Sequence, residues 1–159
     1  LRTTVVRRRS GAPRTVETTF VWDGGERLYL SGFPGRRDWV ASMSANPRVM
    51  LHTVEGGPPW YDIPARARVL REREERLPHL LRFIGHWASR GGSRGWWFHL
   101  FVWAIRANRA LGLPWWGPFF VARRVLDAMP CVELTLMAPP QRRPRPPPPV
   151  DHGPPGRES

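Results

Sequence analysis

Four arginines lie within eight residues near the start of the chain: Arg7, Arg8 and Arg9 run into Ser10-Gly11, and Arg14 follows Pro13. Gly allows positive φ and Ser can bond its own backbone, so the stretch predicts a tight turn between two strands. Such a turn aims guanidiniums and backbone N–H groups at one point, which suits a phosphate or a polycarboxylate. A solvated hairpin tip is the competing reading, and the residues alone do not choose between them. Other catalytic chemistry lacks its groups. His52, His79, His86, His99 and His152 show no metal-ligand spacing, and Gly91-Gly92-Ser93-Arg94-Gly95 lacks the Lys-Ser/Thr of a P-loop and reads as a hinge. The single cysteine, Cys131, excludes an intrachain disulfide and a cysteine zinc site, and reads as a small apolar strand residue. No metal is expected, and no catalytic side chain is assigned.

A chain of 159 residues accommodates one domain with a real core plus a tail. Its net charge of +12 comes from arginine alone, with no lysine, as a GC-rich coding sequence produces. The charge admits nucleic acid or an anionic membrane as partners. Its concentration at the N-terminal turn fits a small anionic ligand equally well. No apolar run marks a signal peptide, so a cytoplasmic location is expected. The chain opens on Leu and enters its first strand at once, which leaves room for a preceding segment.

Strands are predicted at 2–7 and 14–22 on either side of the cationic turn, then at 28–31 after the hairpin signal Asp23-Gly24-Gly25. A short helix over 37–45 ends at Asn46-Pro47, and strands follow at 48–54 and 60–70. Residues 71–87, 96–111 and 115–129 read as helices, with Pro78 as a kink in the first, and 131–137 as a closing strand. From Pro139 onward Pro, Arg and Gly dominate, which predicts disorder over 139–159 and a folded body over 1–138 whose segment 71–129 is helical and aromatic-rich.

Arg8-Arg9-Ser10-Gly11-Ala12-Pro13-Arg14, then Leu28-Tyr29-Leu30-Ser31-Gly32-Phe33-Pro34-Gly35-Arg36-Arg37-Asp38-Trp39, then Ala45-Asn46-Pro47-Arg48-Val49 together resemble the three successive signatures of the deazaflavin-dependent nitroreductase family. The resemblance covers roughly residues 3–77 and the closing strand. It implies an α+β fold, a split β-barrel of about six antiparallel strands related to the FMN-binding pyridoxamine phosphate oxidase-like proteins. A short helix would follow the third strand and a helical insertion would precede the closing one. It also implies binding of the deazaflavin coenzyme F420, with FMN as the alternative, and hydride transfer to an apolar quinone or nitro acceptor. The cofactor-binding positions it implies are Arg8, Arg9, Ser10, Arg14, Ser31, Gly32, Arg36, Trp39, Ser42 and Met43. Ser42 stands where the family commonly has Asn. Such chemistry needs no triad, because the cofactor carries the reaction and the protein supplies orientation and an apolar site.

The run Trp96 to Ile105 is too short for the ~20 apolar residues a bilayer span needs. It is read three ways: as core, as the lining of a pocket for a small lipophilic substrate, or as a peripheral membrane contact over 96–120 that would hold the protein at the inner face of the membrane. Homodimer formation is compatible with each. The reading from a different class is a non-catalytic barrel binding nucleic acid, disfavoured because the arginines cluster at one turn instead of forming a stripe.

Overall fold

The computed structural model describes residues 1–35, 37–88 and 95–151. The chain divides into two compact units, one formed by Leu1–Leu30, Arg37–Val69 and Val132–Ser159, the other by Ser31–Arg36 and Leu70–Cys131. The second unit spans the residues read as helical, 71–129, together with Ser31–Arg36.

The first unit is an antiparallel sheet with one helix. Its strands are β1 (Arg2–Val6), β2 (Pro13–Glu17), β3 (Thr19–Trp22), β4 (Arg27–Ser31), β5 (Arg48–His52), β6 (Trp60–Val69), β7 (Cys131–Leu136) and β8 (Gln141–Arg143). They pair in the order β2-β1-β5-β6-β7-β4-β3, with β8 beside β6. The single strand expected over 14–22 is corrected to two, broken at Thr18. There the backbone N–H donates to the Leu1 carbonyl at 3.0 Å and the hydroxyl pairs with that of Thr3 at 3.0 Å. Consecutive in sequence, β2 and β3 stand at opposite ends of the strand path, so the chain turns a barrel corner at this residue.

Alternation along the strands gives the sheet its apolar face. Val5, Leu28, Leu30, Val49, Leu51, Ala65, Ala67, Val132 and Leu134 form one buried cluster with Met43 of helix α1 (Asp38–Ala45). This helix packs on β1 and β6, where Ala65 and Ala67 let it approach closely. Asn46 ends it, its N–H reaching the Ser42 carbonyl at 2.8 Å. The opposite face of β7 is not simply solvated. Glu133 is buried there and receives Arg68 Nε at 3.2 Å and the Tyr29 hydroxyl at 3.3 Å, with Arg27 at 3.7 Å.

The segment expected to be disordered carries order over its first part. Gln141–Arg143 pairs with Trp60–Asp62, and Arg143 bonds Asp62 at 2.8 Å. Arg2 donates to the Pro148 carbonyl at 3.0 Å, and the Asp151 N–H donates to the Thr15 carbonyl at 2.8 Å. Composition argued for disorder because such a segment buries too little apolar area to offset its chain entropy. Here arginine–carboxylate and main-chain contacts hold the strand instead, and only 152–159 lie outside the described residues.

In the second unit, α2 (Arg73–Ala88), with Pro78 inside it, packs against α3 (Gly95–Ala110) and α4 (Pro118–Ala128). Leu77, Leu80, Leu81 and Phe83 are buried on α2, Val102 and Ile105 on α3, and Ala122 and Leu126 on α4. Asp127 clamps this unit: Arg73 binds both its oxygens, at 2.8 and 2.6 Å, and Arg76 adds a contact at 3.2 Å. Among the described residues no helix is long and apolar enough to cross a membrane.

Leu134→Ala should cost about 2–5 kcal/mol, because Leu134 is wholly buried in the barrel cluster; a denaturant midpoint within error of the parent would show that the cluster is not the core. The carboxylates supply a pH dependence. Burial pushes the Glu133 carboxyl up, but hydrogen bonding and charge from Arg68, the Arg27 charge and the Tyr29 hydroxyl outweigh it and leave it below its ordinary range. Hydrogen bonding from Arg73 outweighs burial in the same way at Asp127. Both folded values are depressed, so the stability they contribute is present above the ordinary carboxylate range and lost as pH falls through the depressed values. Urea midpoints should therefore fall on acidification below about pH 4, and Glu133→Gln should flatten that fall; an acid limb of parental steepness in the variant would remove Glu133 from the account.

Candidate functional site

The cationic turn is built from its own backbone. Arg7 N–H donates to the Ala12 carbonyl at 2.9 Å and Gly11 N–H to the Arg7 carbonyl at 3.0 Å, with Gly11 at φ 70°, a conformation that glycine reaches without strain. Ser10 Oγ accepts the Ala12 N–H at 3.4 Å. The turn therefore projects Arg8, Arg9 and Ser10 into solvent. Arg7 is used differently, its guanidinium pairing with Asp151 of the C-terminal segment. Sequence reading missed that contact, because nothing in the local pattern of Arg7 points to a residue so far along the chain.

Arg14 follows on β2 directly opposite Val5. Cross-strand partners share a face, so Arg14 rises from the core side of the sheet at its β2 edge. It is half-buried, and its Nε is buried without a hydrogen-bond partner among the described residues. A buried, unpaired donor on a charged group is costly, by about 1–3 kcal/mol or more. An anion bonded there would remove that cost.

Helix α1 connects to the turn in two places. Arg8 and Asp38 approach to 3.9 Å, a pair exposed on both sides and so worth little. Asn46 Nδ2 donates to the Val6 carbonyl at 3.3 Å. Trp39 is half-buried against the barrel cluster and keeps part of its ring exposed. Met43, expected at the cofactor, has no exposed surface and packs in the core cluster, since the helix periodicity that puts Trp39 on the inner face carries Met43 one turn further in. Ser42 is buried as well.

Two further expected positions, Ser31 and Gly32, lie in the other unit. Ser31 is buried, with Oγ donating to the Pro130 carbonyl at 2.7 Å, and Gly32 is half-buried. Arg36 lies outside the described residues. Arg8, Arg9, Ser10, Arg14, Trp39, Ser42 and Met43 all belong to the first unit.

A second polar cluster was not foreseen. His52, almost fully buried on β5, has Nδ1 2.6 Å from Asp62 Oδ1 and Nε2 2.8 Å from Thr4 Oγ1, which in turn lies 2.9 Å from Thr15 Oγ1. Hydroxyl, imidazole and carboxylate in this order resemble a nucleophile relay. The hydroxyl is shared with Thr15 and the ring is sealed within the sheet face, so the cluster satisfies buried polar groups and offers no room to a substrate. Three adjacent strands bring these residues together, and no spacing within one stretch could have announced it. Among the described residues no group of three His, Cys, Asp or Glu could hold a metal ion.

No protein-family model matches the chain, and no curated protein does. Solved structures do. A Listeria innocua protein provisionally named a pyridoxamine 5'-phosphate oxidase aligns over 89% of this chain and 85% of its own, with TM-score 0.53 and 11% identity. Protein Atu2129 from Agrobacterium tumefaciens str. C58, of unknown function, aligns over 89% of this chain and 49% of its own, with TM-score 0.54 and 16% identity. A protein named F420 reductase aligns over 86% and 85%, with TM-score 0.48 and 16% identity. At such identities the likeness is one of fold: this chain has the α+β split β-barrel architecture.

Proposed function

We propose that the chain is an oxidoreductase of the split-barrel class that binds a flavin-type cofactor, coenzyme F420 in the first instance, through the turn between β1 and β2, and reduces an apolar acceptor such as a quinone or nitro compound. The observation that carries this reading is Arg14, whose buried Nε lacks a partner on the core side of the sheet, next to a turn that presents Arg8 and Arg9. The three sequence signatures support the choice of deazaflavin, and the split-barrel fold is compatible with FMN. Bound there, the cofactor would supply the hydride chemistry. The chain's own residues do the rest: Arg8, Arg9 and Arg14 hold an acidic or phosphorylated end, the Ser10 hydroxyl adds a donor, and the exposed part of Trp39 gives a flat apolar surface that excludes water.

Titrations with coenzyme F420, FMN and a single-stranded oligonucleotide at matched salt separate the readings. Arg14→Met keeps the apolar stem and removes the orphaned donor. It should leave the melting temperature unchanged or raised, while cofactor affinity falls about tenfold or more, the scale of one lost charge-assisted contact. Unchanged affinity would move the acidic end of the cofactor away from β2. Oligonucleotide binding that falls steeply with salt, without binding of either cofactor, would reverse the reading in favour of a nucleic-acid partner.

A further inference from the structure

The second unit carries a surface that the cofactor reading does not use. Between Arg76 and Asp127 the sequence contains no Asp or Glu, although it contains arginines throughout. On α3 the inward positions are Val102, Ile105 and Asn108. The outward side is apolar: Trp96, Leu100 and Trp103 recur at helical spacing along one ridge, exposed by 55%, 46% and 65%. Trp97 stacks on Trp96 with ring centroids 3.9 Å apart, widening the ridge. An outward face of this kind is the reverse of an ordinary surface helix.

One flank of the ridge opens into a groove of about 370 Å³ between α2 and α3. Arg82 and His86 line it from α2, His99 and Arg106 from α3, over a floor of Leu81 and Val102, and Gly85 leaves the space a side chain would take. Two arginines and two histidines thus line the groove where the apolar ridge begins.

We infer that α3 lies in the interface of an anionic phospholipid bilayer, with Trp96, Leu100 and Trp103 among the upper acyl chains and a lipid phosphate in the groove between α2 and α3. Indole rings settle at the boundary between headgroups and acyl chains and arginines beside them meet anionic lipid, the pattern of a helix lying on a membrane without crossing it. Charge argues against a second copy as the occupant. A two-fold interface sets one patch against the same patch of the partner, so two basic surfaces drawn from a stretch without Asp or Glu would meet. An anionic surface neutralises them directly. The inference does not depend on the cofactor, and its test needs none.

Flotation of the full chain is measured with vesicles of phosphatidylcholine alone and of phosphatidylcholine mixed with phosphatidylglycerol. Binding should require the anionic lipid. Arg82→Gln with Arg106→Gln should weaken it about twenty-five-fold, fivefold for each arginine, and Leu100→Ser with Trp103→Ser about tenfold or more, with melting temperatures unchanged. Arg106→Gln alone, at an exposed position, keeps the test open should the pair fail to fold. Three results would overturn the inference: parental binding in these variants, equal binding to both vesicles, or inorganic phosphate binding to the groove in a protein that ignores vesicles. So would a dimer in sedimentation that Trp103→Ser dissociates.

Discussion

The first unit depends on one strand having both of its edges occupied. β6 is ten residues long and pairs with β5 on one side and with β7 and then β8 on the other. A proline in such a strand ordinarily removes a ladder bond. Pro64 does not, because of where it falls. Its carbonyl accepts the Met137 N–H at 2.8 Å, so its missing N–H would face the same side, between Ala65, paired with Leu136, and Asp62, paired with Gln141. The chain passes from β7 to β8 at that gap, and no donor is lost. Ala65 and Ala67 then present small side chains to α1, so the strand that holds the sheet together also sets how near the helix and Trp39 can come.

Because the barrel interior takes the aliphatic residues, the outer faces of the central strands carry polar groups close to their neighbours. They are satisfied by crossing strands: Thr4, His52 and Asp62 link β1, β5 and β6, and Tyr29, Arg68 and Glu133 link β4, β6 and β7. Removing one partner would leave the others buried and unpaired, which makes these clusters constraints on register more than sources of net stability. Tyr29 shows the same confinement, since burial pushes its phenol up, opposed by hydrogen bonding to Arg27 and reinforced by the Glu133 charge.

Local signals found the elements wherever period and punctuation agreed. Asp23-Gly24-Gly25 forms the expected turn, with Gly24 at φ 94° and the Asp23 carboxylate accepting the Gly25 N–H at 2.9 Å. The short helix, the closing strand and the helical segment also fall within a few residues of their expected bounds. What the sequence hid was long-range. The break at Thr18 answers to barrel closure, β8 to an Arg143–Asp62 contact, and the burial of Glu133 to arginines on other strands. Of the site, the turn and its arginines were legible because a turn is a local object. The interior position of Met43 was not, because Trp39 and Met43 share a helix face and only packing decides which reaches solvent.

The charge of +12 illustrates why a sum says less than a distribution. Arg7, Arg68, Arg73, Arg76 and Arg143 are engaged with Asp151, Glu133, Asp127 and Asp62, where they act as struts. Arg8 and Arg9 are held outward by a turn whose backbone bonds leave them no inward path. Arg82 and Arg106 line a groove in a stretch without acids. Within the sheet unit and within the helical unit alike, the fold uses some arginines as struts and leaves others exposed.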